Sequence, residues 1–296
     1  MHVALPPPAS AASGEDSPGG LCFTRRESLA DYLACETYIS SSALRRFDRT
    51  GRAPQDVLKA DPTSREATLG DALHALLLEP ERFDEDFFGM DGEDPPRGDV
   101  PMPELLRRTW LSSRDCAALR LMQRNVRACT RAPLAQWLDA GEKELSVYWE
   151  DASGLRWKGR PDCFVDGVIL ELKTTTDVRP ARFAKARRRF GYDMQAALYV
   201  EGVTQLTGKS PRFIYVMAES VRPHSVWTQE LDAHELALAA EELADLRARF
   251  RAAWIAHEAA RYSAPPVGVA STVDAAPATP IVTSPPPCAA SPSPAS

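Results

Sequence analysis

The side chains that could do chemistry are concentrated in Arg160–Thr174, where Asp162, Glu171 and Lys173 are spaced so that strand geometry alone gathers them. Asp166-Gly167 lies between two apolar runs, Cys163-Phe164-Val165 and Val168-Ile169-Leu170. An Asp-Gly pair in that setting predicts a two-residue hairpin turn, because both central residues must take positive φ. The register then sets Val165 opposite Val168, Phe164 opposite Ile169, Cys163 opposite Leu170 and Asp162 opposite Glu171. Alternation puts Glu171 and Lys173 on one face, and Leu170 and Leu172 on the other. Opposed residues have Cβ atoms roughly 5 Å apart, and like charges there are destabilising. Two facing carboxylates with an amine close by therefore call for a reason, and a divalent cation held by hard oxygen ligands supplies one.

The competing view is a wet strand face on which Lys173 merely neutralises an acid. Leu155, Trp157, Phe164, Val165, Val168 and Ile169 argue against it, because they make the hairpin apolar on both faces, as in a covered central strand pair. Carboxylates buried without a partner or a metal are costly.

These elements need a frame. Thr37–Phe47 predicts a helix capped by Ser40 or Ser41, with Leu44 and Phe47 inward. Arg65–Leu78 predicts a second, with Leu69, Leu73, Leu76 and Leu77 at helical spacing and Pro80 as its stop. His74 lies beside that stripe. Residues 84–103 are acidic and proline-rich, and predict a loop. Leu105–Leu138 predicts one or two supporting helices. Glu144–Glu150 alternates as a strand, Asp151–Gly154 turns, and Leu155–Arg160 returns, which predicts a three-strand meander into the motif. Tyr192–Gly202 reads as a helix closed by Gly202, with Gln195 and Tyr199 on one face. Phe213–Met217 and Val226–Glu230 read as strands, and Leu231–Tyr262 as a long amphipathic helix.

Pro161-Asp162 followed by Glu171-Leu172-Lys173 resembles the split motif of the PD-(D/E)XK nuclease superfamily. With Gly70–Phe83 upstream and Tyr192–Gly202 downstream, the order of blocks over roughly residues 36–262 is similar to the exodeoxyribonuclease VIII (RecE-like) exonucleases. The resemblance implies an α/β (α+β) fold. It would be a restriction-endonuclease-like core, with a central mixed sheet flanked by helices and an N-terminal helical part. It implies a nuclease domain over residues 21–262, between Pro/Ser/Ala-rich segments at 1–20 and 263–296 that read as disordered.

The same resemblance implies the chemistry. Asp162, Glu171 and the Leu172 carbonyl would hold one or two Mg²⁺ ions, with Mn²⁺ able to substitute, and His74 would be a metal ligand or would orient metal-bound water. Lys173 would orient or deprotonate the water, or contact the phosphate as a point charge. Gln195 and Tyr199 would face the catalytic lysine, and Glu144 would belong to the outer shell. Ser41, Arg45, Arg46 and Arg160 become candidates for contact with DNA, the first three for gripping a 5′ phosphate near a helix N-terminus. The implied activity is 5′-to-3′ hydrolysis of linear double-stranded DNA, leaving 3′ single strands for recombination. A homo-oligomeric ring and a RecT-type single-strand annealing partner come with it, in the cytoplasm of a bacterial host carrying a phage or prophage. Two alternatives stand beside this. One is a single-strand or flap nuclease of the RecB-like type, which the absence of cluster-forming cysteine spacing weakens. The other is a catalytically inactive DNA-end-binding module, which an intact Asp162, Glu171, Lys173 and His74 weakens.

Composition sets the outer bounds. At 296 residues and 44% hydrophobic content the chain is long enough for a sizeable core. No apolar run reaches membrane-spanning length, so no membrane partner is expected. Six cysteines without a CxxC pair predict free thiols in a reducing compartment. A net charge of −6 does not advertise a nucleic-acid binder, yet a nuclease needs only a basic channel. Arg45-Arg46, Arg107-Arg108 and Lys185–Arg189 are local basic clusters.

Overall fold

The computed structural model describes residues 22–59, 69–89 and 108–263, the last three of these without their side chains. Of the expected terminal segments 1–20 and 263–296, all but Ser263, which ends the last helix, lies outside the described residues, as do 65–68 and 90–107 within the predicted helix, loop and basic cluster. The chain divides into units 1–257 and 258–296, and both the sheets and the candidate site belong to the first.

Strand β1 (Cys22–Arg25) is followed by helices α1 (Leu29–Ala34), α2 (Ser41–Thr50), α3 (Pro54–Leu58), α4 (Leu69–Leu78) and α5 (Pro80–Asp86). Short strands β2 (Phe87–Phe88) and β3 (Thr109–Trp110) precede α6 (Ser113–Arg127) and α7 (Leu134–Ala140). Strands β4 (Glu142–Lys143), β5 (Ser146–Glu150), β6 (Arg156–Gly159), β7 (Cys163–Val165) and β8 (Val168–Thr175) come next. Helices α8 (Pro180–Phe190) and α9 (Tyr192–Thr207) lead to β9 (Arg212–Glu219) and β10 (Val226–Glu230), and α10 (Ala233–Ser263) closes the series.

The central sheet has the order β10-β9-β8-β7-β4 and is mixed. β8 and β9 run parallel, joined by the α8–α9 crossover, and the other pairs are antiparallel. Helices flank both faces, as expected. Val165, Val168, Leu170, Leu172 and Val216 pack with α4, α6 and α7. On the other face Phe164, Ile169, Phe213, Tyr215 and Met217 pack with Phe183 of α8 and with Ala196, Tyr199 and Val203 of α9. Full burial of a side chain such as Phe213 or Phe183 contributes about 1.5–3 kcal/mol. A third cluster joins α2, α9 and α10 to the small sheet β1-β5-β6 through Trp149, Trp157 and Phe250.

The predicted hairpin forms. Asp166 and Gly167 take φ of 48° and 77°, and Val165, Phe164 and Cys163 pair with Val168, Ile169 and Leu170. The ladder stops there, so Asp162 is one step beyond it. Ser40 is the N-cap of α2, accepting from the Ala43 N–H at 3.2 Å.

Three expectations need correction. The three-strand meander does not exist. β5 and β6 pair with β1 in their own sheet, and the chain crosses to the central sheet at Arg160–Asp162. Gly202 does not end its helix. α9 runs to Thr207 and closes on Gly208, at φ 70°. Gly202 sits mid-helix because a Cβ there would meet the Trp149 ring at 2.6 Å. Finally, the stretch read as a loop from 84 begins as the end of α5 and as β2. Phe83 and Phe87 are buried there with stacked rings 5.2 Å apart, apolar anchors amid acids. No helix among the described residues is long and apolar enough to cross a membrane.

Candidate active site

β8 brings Glu171 and Lys173 to the centre of the molecule. Burial is nearly complete at Glu171, whose side chain is 2% exposed, and Lys173 Nζ donates to Glu171 Oε1 at 2.8 Å. Asp162 arrives from the β6–β7 crossing, and its Oδ2 accepts the Leu172 N–H at 2.6 Å. His74 reaches in from α4: its Nε2 is 2.9 Å from the Leu172 carbonyl oxygen and 3.5 Å from Asp162 Oδ2. From α9, Gln195 Oε1 accepts from Lys173 Nζ at 3.2 Å, and Gln195 Nε2 donates to the Tyr199 hydroxyl at 3.1 Å. Asp162, Glu171, Leu172, Lys173, His74, Gln195 and Tyr199 therefore meet at one place; the hairpin spacing points to Asp162, Glu171 and Lys173, and the family resemblance to the other four.

The electrostatics are those of a crowded, dry pair of acids. Burial pushes the Asp162 carboxyl well above the usual carboxylate range, and the negative charges of Glu171 and Glu144 push it further. Burial alone would lower the Lys173 pKa, but Glu171 and Asp162 outweigh it, and the net shift is upward. Lys173 is thus held as an ammonium. Tyr199 is buried beside Glu171, and its phenol is raised well above its ordinary value.

A divalent cation fits this donor set on one observation above all. Glu171 Oε2 is buried and has no hydrogen-bond partner among the described residues, and such an orphaned oxygen costs about 1–3 kcal/mol or more. No three His, Cys, Asp or Glu side chains among the described residues enclose a metal by themselves. The set relies on a main-chain carbonyl and leaves room for water or phosphate oxygens, which is common for Mg²⁺. His74 Nε2 and the Leu172 oxygen now bond each other, so taking an ion between them requires the tautomer with a lone pair on Nε2.

Two expected residues have different surroundings from those their types suggest. Arg160 is not presented to a ligand: its side chain is 4% exposed. Its guanidinium donates to Glu144 Oε2 at 2.7 Å, to the Glu27 carbonyl at 3.0 Å and to Ser146 Oγ at 3.2 Å. Nη2 lies 3.4 Å from Glu79 Oε1. The expectation of a DNA contact gives way to a clamp that fixes the approach to Asp162. Arg46 likewise donates to the carbonyls of Val57 and Lys59, each at 3.2 Å, and ties α2 to α3. Glu144, expected in the outer shell, stands between these parts. It takes φ 52°, its N–H donates to the Asp162 carbonyl at 3.1 Å, and burial raises its carboxyl to about 7.

Ser41 and Arg45 do share a space with the lysine. They line a cavity of about 340 Å³ with Lys173, Phe190, Tyr192 and Gln195. Arg45 Nη1 donates to the Phe190 carbonyl at 2.7 Å. Ile39, just before α2, forms a parallel bridge with Trp157 of β6, its N–H on the Arg156 carbonyl and its carbonyl taking the Lys158 N–H. β6 thereby fixes both the α2 N-terminus and the chain entering Asp162.

Sequence reasoning missed several residues here. Tyr192 places its ring 4.7 Å from Lys173 Nζ. Lys158 is buried and donates to the carbonyls of Tyr32 and Cys35. The Glu27 carbonyl and Glu79 hold Arg160. Glu79 and Tyr192 lie within the blocks that carry the family resemblance, but neither is given a role there, and Glu27 and Lys158 stand in no motif. The only available signal was the proximity of Tyr192 to Gln195 along one helix.

A model of PDDEXK-like domains of unknown function (DUF3799) matches residues 40–264, most of the chain. The chain belongs to that family. The seven residues that meet at the site lie within the match, whereas β1, α1, Cys35, Ile39 and the Glu27 carbonyl precede it. Among solved structures, a proposed exonuclease from Eubacterium rectale aligns with a TM-score of 0.57 at 18% identity, over 78% of this chain and 88% of that one. At this identity the likeness bears on the fold, and it agrees with the mixed sheet and flanking helices. LHK-Exo in complex with dAMP aligns at 12% identity over 79% of this chain and all of that one, with a TM-score of 0.28 that carries no weight. No protein with a curated description matches the sequence.

Proposed function

We propose that this PDDEXK-like domain is a divalent-metal-dependent exodeoxyribonuclease that hydrolyses linear double-stranded DNA from its 5′ ends, as a relative of the RecE-like enzymes. The observation that carries the reading is the unpartnered, buried Glu171 Oε2 beside Asp162 and the Lys173 ammonium. A site built only for stability would not leave that oxygen bare.

Asp162, Glu171, the Leu172 carbonyl and His74 would hold Mg²⁺ or Mn²⁺, which when bound supplies a Lewis acid for the phosphate and a more acidic water. The protein's own groups do the rest. Lys173, kept charged by its acidic neighbours, donates to a phosphate oxygen as a point charge and orients the attacking water. Gln195 holds the ammonium in place, and Tyr199 fixes Gln195. Ser41 and Arg45 receive the 5′-terminal phosphate in the cavity they share with Lys173. The polarity of attack rests on the RecE-like resemblance, and the shared cavity offers a 5′ phosphate a place beside Lys173.

The product would be a 3′ single strand suited to recombination. A ring of identical subunits around the duplex, a RecT-type annealing partner and a place in the cytoplasm of a phage- or prophage-carrying host belong to the same proposal. They rest on the RecE-like resemblance. Duplex DNA labelled separately at its 5′ and 3′ ends, digested with Mg²⁺ by wild type and by Lys173→Ala, tests the reading. Early release of the 5′ label by wild type, and loss of about 10²–10³-fold in the variant, is expected. Equal rates for the two proteins, or initial release of the 3′ label, would contradict it.

A further inference from the structure

Phe190 is a large apolar side chain left 38% exposed in the lining of the cavity that Lys173 also lines. It ends α8, immediately before Gly191, whose left-handed φ of 64° turns the chain into α9. Its ring stacks on Tyr192, with centroids 5.6 Å apart and planes 29° apart. The Tyr192 ring in turn meets Lys173 Nζ at 4.7 Å. Two aromatic faces thus step from solvent down to the amine, and Arg45 joins the Phe190 carbonyl to α2.

The core does not explain this arrangement. Tyr192 packs with the buried Phe183 and Tyr215 rings, but Phe190 contributes little to that cluster. The Arg189 guanidinium also faces the ring, 5.3 Å from its centroid and itself exposed. An exposed cation–π contact of that kind is weaker than stacking of a nucleobase on an aromatic ring. A base can take its place and leave Arg189 to the adjoining phosphate.

We propose that Phe190, backed by Tyr192, is a stacking platform for the base of the 5′-terminal nucleotide, whose phosphate lies among Ser41, Arg45 and Lys173. This rests on the nuclease reading and sharpens its substrate. Every base has a π face, so the platform is indifferent to sequence. It requires the terminal base to leave the duplex stack, so a frayed or unpaired 5′ nucleotide is preferred over a blunt, G·C-closed end.

A double-mutant cycle tests the platform without hydrolysis. Dissociation constants are measured in EDTA for a 5′-phosphorylated single-stranded oligonucleotide, and for the same strand with an abasic first nucleotide, on wild type, Phe190→Ala and Phe190→Trp. The abasic strand should bind wild type about 5- to 100-fold more weakly, the range of base–aromatic stacking. Phe190→Ala should lose a similar factor on the intact strand and nothing further on the abasic one, while Phe190→Trp keeps the wild-type pattern. The same abasic penalty in Phe190→Ala, no penalty in wild type, or no detectable binding of either strand would overturn the platform. Mg²⁺-dependent digestion run alongside separates the two proposals. Hydrolysis without coupling in the cycle rejects the platform alone, and coupling without hydrolysis rejects the nuclease.

Discussion

Arg160 and Arg45 border the same site and have opposite surroundings. Arg160 lies under the chain that delivers Asp162, nearly sealed from solvent and bonded to Glu144, Ser146 and the Glu27 carbonyl, with Glu79 close by. Arg45 opens onto the cavity beside Lys173, where among the described residues its guanidinium makes one hydrogen bond, to the Phe190 carbonyl. The difference separates two uses of one residue type. A guanidinium with most of its donors matched by buried partners holds geometry, and one with donors to spare can hold a ligand.

The contrast is most easily broken at Arg160. Replacing it with Ala leaves Glu144 buried beside Glu79 and Asp162 without its cation, which should cost about 3–5 kcal/mol in urea or thermal unfolding. A near-neutral change would show that the clamp is ornamental and make Arg160 a candidate for DNA contact again. Two residues along, Asp162→Asn should do the reverse. Activity falls by about 10²–10³, while the metal-free fold becomes more stable, because a buried like-charge pair is relieved. A destabilised Asp162→Asn would mean that the carboxylate serves the fold.

The pH dependence sharpens the same distinction. Burial raises Asp162 well above its ordinary value and Glu144 to about 7. Acids with raised folded values bind protons more tightly folded than unfolded. Their contribution is fully present below about pH 4, and that of Glu144 is lost as pH rises through about 7. In EDTA the thermal midpoint should therefore decline from pH 5 to pH 7.5, and the slope should flatten in Glu144→Gln. A midpoint that climbs over this range would refute the assignment. The smallest effect belongs to Arg45→Ala. Stability should change by less than about 0.5 kcal/mol, with roughly tenfold weaker preference for a 5′-phosphorylated end over a 5′-hydroxyl end, the scale of one charge-assisted contact. An unaltered preference would remove Arg45 from the phosphate pocket.

What could be read from the sequence was local. The Asp166-Gly167 turn needed two positive φ values, which that dipeptide supplies, and it fixed the register that carries Glu171 and Lys173. The helical stripe around His74 and the Gln195–Tyr199 spacing came from one element each. What could not be read depended on partners far along the chain. Gly202 looks like a stop until Trp149 is laid against it. Arg160 looks like a phosphate ligand until Glu27 and Glu144 close around it, and Glu144 can do so only from a backbone conformation its residue type rarely adopts. β5 and β6 have strand patterns but choose β1, whose four residues carry little signal alone.

The bare oxygen of Glu171 is tested most directly by calorimetric titration of Mn²⁺ into wild type and Glu171→Gln at neutral pH without DNA. Saturable binding by wild type, and its loss in a variant that still folds, is the expected result. Equal binding by both proteins, or none by wild type, would mean that this oxygen holds no cation and that the hydrolytic reading must be abandoned.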